Sequence, residues 1–62
     1  MIDYIIFQNL SRKFTREMAK GNKEEAEKVI ERLEKLYNEE RNIDLELQIY
    51  FTIRGMKNLC YG

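Results

Sequence analysis

Asn22–Glu40, NKEEAEKVIERLEKLYNEE, is the stretch whose reading places the rest of the chain. Ala26, Val29, Ile30, Leu33, Leu36 and Tyr37 recur in it at steps of three and four. At ~100° per residue they share one apolar stripe, which makes the stretch an amphipathic helix. Lys28, Glu31, Glu34 and Lys35 take the opposite side, with Glu24–Lys28 and Glu31–Lys35 in the favourable i,i+4 order. Glu24, Glu25 and Glu27 crowd the first turn, where carboxylates meet the positive end of the helix dipole. Asn22 followed by Glu25 has the form of a capping box, the Asn side chain accepting from an early N–H while Glu25 reaches back. Glu24, Glu25, Glu27 and Glu31 could also be read as a carboxylate site. Nothing in the neighbouring sequence would bury them or shift their pKa, so they read as a solvated helix face.

Toward the N-terminus, Ile6, Phe7, Leu10, Phe14 and Met18 fall on one face, with Tyr4 at its edge. Asp3 fits an N-cap for a helix starting at Tyr4, and Ile2 with Phe7 fits the hydrophobic staple beside it. Gly21 fits the C′ position, where the backbone turns to positive φ. The sequence therefore predicts a helix over about 4–20, a tight turn at Gly21–Asn22, and a second helix over about 23–39. So short a connection makes the two helices antiparallel neighbours. Leu10, Phe14 and Met18 would then face Ala26, Val29, Ile30 and Leu33. A rival reading puts Met1–Phe7 in a strand, on the β propensity of Tyr4-Ile5-Ile6-Phe7.

Toward the C-terminus, the polar run at 38–42 breaks the stripe without Gly or Pro. A third element follows over about 43–60. As a helix it has two apolar stripes: Leu45, Ile49, Thr52, Ile53, Met56, Leu59 and Cys60 on one side, and Ile43, Leu47, Tyr50, Phe51 and Tyr61 on the other. As a strand, residues 43–54 alternate apolar and polar without error, but need a mate such as residues 2–7. One helix running from 23 to about 60 is a third arrangement, because Leu36, Ile43 and Tyr50 keep a heptad step. Gly55 and Gly62 suggest a bend or fraying near the C-terminus. The expected fold is all-α: a single small domain over 1–62, an antiparallel helical hairpin with a third helix. The alternative is α+β, with a strand at 43–54.

Composition narrows the chemistry. A 62-residue chain with one cysteine and no histidine has neither an internal disulfide nor a promising zinc site to reinforce a small core. Self-association, most simply a dimer, or a bound partner would serve instead. Without histidine there is no Ser-His-Asp or Cys-His nucleophile system, and three scattered glycines make no phosphate loop. Cys60 reads as a small apolar residue or an incidental thiol, with only Lys57 nearby in sequence to activate it. The chain is expected to be no enzyme and to hold no cofactor or metal. No apolar run is long enough to span a membrane or serve as a signal peptide, and the lone cysteine suits the cytoplasm.

Two surfaces remain as candidates. Arg12, Arg16 and Lys20 are spaced i, i+4, i+8 with Lys13 adjacent, and residues 1–23 hold five basic residues against two acidic ones. Such a stripe can track the phosphates of RNA or DNA, although no aromatic is interleaved with it and the whole chain has zero net charge. It could equally be an ordinary solvated face, or meet the acidic second helix of another copy. In layout alone, and through no motif, two short helices with a basic outer face resemble small plasmid-encoded RNA-binding hairpin proteins that dimerise into four-helix bundles. The second surface is the outer stripe of the third element. Ile43, Leu47, Tyr50 and Phe51, rimmed by Asp44, Glu46 and Arg54, have the composition of an interface hot spot. The favoured expectation is a non-enzymatic regulator or inhibitor that docks on another protein through Ile43, Leu47, Tyr50, Phe51 and Arg54. The alternative is a dimeric helical nucleic-acid-binding protein using Arg12, Lys13, Arg16 and Lys20. The outer stripe could also be only the seam of a homodimer.

Overall fold

The computed structural model describes residues 2–62, and for Ile2 the backbone only. Within them the chain is all-α: α1 spans Ile2–Ala19, α2 Lys23–Glu39 and α3 Ile43–Tyr61. Neither the strand at 43–54 nor the single helix from 23 to about 60 forms. Residues 2–7 are helical too, so the N-terminal strand is absent over the described part of its range. Its first residue, Met1, and the packing of the Ile2 side chain on Phe7 lie outside the described residues.

The turn between α1 and α2 is a Schellman closure. Gly21 has φ +77°, its N–H reaches the Met18 carbonyl at 3.0 Å, and the Asn22 N–H reaches the Glu17 carbonyl at 2.8 Å. The capping box expected at Asn22 does not form. Asn22 has ψ 71° and its side chain makes no cap bond. Its amide instead donates to Glu17 Oε1 at 3.1 Å, while Glu25 pairs with Lys28 at 3.0 Å. A two-residue turn makes Asn22 serve both helices, and closing α1 takes its side chain away from α2. Neither Glu24–Lys28 nor Glu31–Lys35 is joined; the i,i+3 pair Glu25–Lys28 stands in their place. At the other end α1 starts at Ile2, so Asp3 lies in the first turn and is not its N-cap.

The break between α2 and α3 is built by side chains. Glu40 Oε1 accepts the N–H groups of Arg41 at 2.9 Å and Asn42 at 3.1 Å. Asn42 caps α3, its side chain accepting from the Leu45 N–H at 3.1 Å. α3 then runs as one helix through Gly55 to Tyr61, and Gly62 closes it with its N–H on the Asn58 carbonyl at 2.9 Å.

α2 is the middle helix, packing on α1 through one side of its stripe and on α3 through the other. Phe7, Phe14, Ala26, Val29, Ile30, Leu33, Leu45, Ile49, Ile53, Met56 and Cys60 form one buried core, with Leu10, Met18, Leu36 and Tyr37 packed against it. The Cα envelope measures 32 × 21 × 14 Å, so the three helices form a flattened layer. α1 and α3 meet at the far end, where the Cys60 thiol lies 4.0 Å from the Met18 sulfur. Alternation lost to helix over 43–54 because the helix buries Leu45, Ile49, Ile53, Met56 and Cys60 in this core. A lone strand would have left its backbone groups unpaired. Of the inner stripe expected for α3, Leu59 is the exception and is 69% exposed.

Candidate interaction surface on the third helix

With its inner stripe committed to the core, α3 presents its outer stripe to solvent. Ile43 is 72% exposed, Leu47 48%, Tyr50 41% and Phe51 62%. Positions 43, 47, 50 and 54 follow the four-three-four spacing of a helix–helix seam, with Phe51 beside it. The structure brings all five expected docking residues onto one face of one helix.

The patch is ordered by aromatic contacts. Tyr37 of α2 packs on Tyr50 with ring centroids 6.0 Å apart, and Tyr50 meets Phe51 edge-on at 5.4 Å. The Arg54 guanidinium sits 6.0 Å from the Tyr50 ring centroid, and Arg54 makes no ion pair among the described residues. Tyr50 is therefore braced from behind by α2, and the exposed ring of Phe51 meets its edge. Tyr37, expected only as part of the α2 stripe, thus also supports the α3 patch. Beside the patch, Glu34, Tyr37, Tyr50, Arg54 and Lys57 line an open groove of about 430 Å³ between α2 and α3. Its carboxylate, Glu34, is held by Lys57 Nζ at 2.9 Å, and the bond from Glu34 raises the Lys57 pKa above 10.5.

The basic residues of α1 separate into two groups. Arg12, Arg16 and Lys20 are exposed on one face, and Lys20 lies 3.9 Å from Glu17 Oε2. Lys13 is half-buried and leaves that line. Glu25 is held below 4.5 by its bond to Lys28 and by the charge of Lys28, with a smaller contribution from Lys13.

One carboxylate was not singled out from sequence. Glu17 is buried, accepts from Asn22 and ties the α1–α2 turn together. Its position at the margin of the α1 apolar stripe was the available signal. At the opposite end, Asp3 is pushed above 3.8 by its hydrogen bond to Glu40 and by the Glu40 charge. Glu40 is itself held below 4.5, chiefly by the Asn42 N–H. Glu40 Oε2 is closed off from solvent. Among the described residues no three His, Cys, Asp or Glu side chains converge as a metal site, and no helix is long and apolar enough to cross a membrane. No protein-family model, curated protein or solved structure matches the chain.

Proposed function

We propose that the protein is a small non-enzymatic regulator in the cytoplasm that acts stoichiometrically by docking the outer face of α3 on another protein. The observation that carries this reading is the row Ile43, Leu47, Tyr50 and Phe51, exposed on a helix whose other face already fills the core. An amphipathic helix binds a groove through anchors at such spacings, and clustered aromatics beside an arginine are the usual composition of a hot spot. The packing of Tyr50 on Tyr37 supports the reading further, because a ring packed on a neighbouring helix loses little freedom on binding. The residue content agrees: there is no histidine, and the only cysteine is buried.

The test is affinity capture from the source cells with the wild type and with a Leu47→Ala/Phe51→Ala double variant. Both side chains point outward, so the variant is expected to keep the wild-type circular dichroism. A specific protein captured by the wild type and lost by the variant is the expected result. Equal capture by both, or none by the wild type, removes the reading.

A second reading has one observation in its favour: Arg12 and Arg16 stand exposed on α1 without an ion pair among the described residues. On that reading Arg12, Arg16 and Lys20 contact nucleic-acid phosphates.

A further inference from the structure

Resting on the reading of the α3 face as a docking surface, we infer that its occupant in the isolated protein is the same face of a second copy. The two α3 helices run antiparallel about a two-fold axis. Size is the first argument. At their observed exposures, Ile43, Leu47, Tyr50 and Phe51 present roughly 400 Å² of apolar surface per copy. Two copies bring roughly 800 Å², about the apolar share of an interface at the lower end of the standard range. A two-fold pairing of one face with itself uses the whole patch and leaves no open end for further growth.

Charge decides the direction. Asp44 lies near the start of α3 and Arg54 well along it, both exposed and neither in an ion pair among the described residues. A parallel pair would set Arg54 against Arg54 and Asp44 against Asp44. An antiparallel pair sets Arg54 beside Asp44 of the second copy, twice over. The apolar residues ask for the same register. Placing Leu47 opposite Phe51 of the second copy and Asp44 opposite its Arg54 centres both pairs on the level of Ile49. Tyr50 then lies near the axis, close to its own counterpart. One register thus satisfies Leu47, Phe51, Tyr50 and the charged pair together, and sets Ile43 opposite Gly55 of the second copy. Self-association and docking on a different protein compete for this face, so the dimer is the stored form of the regulator.

Sedimentation equilibrium of the full chain across the micromolar range tests the inference. The wild type is expected to dimerise. Arg54→Asp and Asp44→Arg should each weaken the dimer roughly tenfold, since each turns two symmetric attractions into repulsions. The double variant Asp44→Arg/Arg54→Asp should recover most of that loss. Leu47→Glu should be monomeric with unchanged circular dichroism. A wild type that stays monomeric overturns the inference, as does a dimer unmoved by Leu47→Glu or a double variant weaker than either single one. A monomeric wild type whose captured protein is still lost with Leu47→Ala/Phe51→Ala overturns the dimer and leaves the docking reading intact.

Discussion

Asn22 closes back on Glu17 twice: its backbone N–H meets the Glu17 carbonyl at 2.8 Å, and its side-chain amide meets the Glu17 carboxylate at 3.1 Å. The two bonds, with Gly21 between them at positive φ, set the antiparallel course of α1 and α2. Gly21→Ala should cost about 1–2 kcal/mol, because an added Cβ strains a left-handed backbone even where space is free. Glu17→Ala should cost about 1 kcal/mol by releasing the turn. Urea midpoints measure both; an unchanged midpoint for Gly21→Ala would contradict the closure.

Core and surface truncations should separate cleanly. Leu33 is 0% exposed at the centre of the core, so Leu33→Ala should cost about 2–5 kcal/mol. A domain this small has a total stability of only about 3–9 kcal/mol, so that change brings the chain to the edge of unfolding. Phe51→Ala removes a larger side chain from the surface and should leave the monomer midpoint nearly unchanged. Thermal melts of dilute samples compare the two.

The Asp3–Glu40 pair gives a pH dependence of defined sign. Asp3 has its folded pKa raised above 3.8 by Glu40, so its contribution to stability is fully present below 3.8 and is lost as pH rises through the folded value. Asp3→Asn removes this loss, and the variant should gain on the wild type as pH climbs from 3.8 into the neutral range. Glu40 runs the other way. Its folded pKa is lowered below 4.5, so its contribution is present above 4.5 and is lost as pH falls through the folded value. Glu40→Gln should therefore cost most at neutral pH. Urea midpoints at several pH values test both signs, and a wild type that gains on Asp3→Asn with rising pH would contradict the first.

The basic face of α1 makes a separate prediction. With zero net charge, and with no aromatic interleaved with Arg12, Arg16 and Lys20, no retardation of RNA or DNA duplexes is expected at ~150 mM salt. A retarded complex whose salt slope falls by about one for each of Arg12, Arg16 and Lys20 removed would move the function to α1.

How far the fold could be read from sequence varied along the chain. α2 was legible because its stripe, acidic first turn and preceding glycine agree. Gly21 at C′ was legible for the same reason: few residues other than glycine take that backbone. The start of α3 was harder. Alternation over 43–54 is a true local pattern, and it was overruled by the absence of a mate and by the core that Leu45, Ile49 and Ile53 complete. The signal that resolves it is Asn42, an N-cap with Asp44 in the following turn. The ion pairs were not legible, because i,i+3, i,i+4 and interhelical partners compete for each lysine; Lys57 joined Glu34 on another helix. The α3 patch was legible as surplus apolar surface, whereas its bracing by Tyr37 needed three dimensions.

The most direct measurement is site-specific photo-crosslinking in the source cells, with a benzophenone side chain at position 51 or at position 16. Protein adducts are expected at position 51, to a second copy or to another protein, and none at position 16. Adducts at position 16 with none at position 51 would contradict this and show that α3 is not the surface through which this protein works.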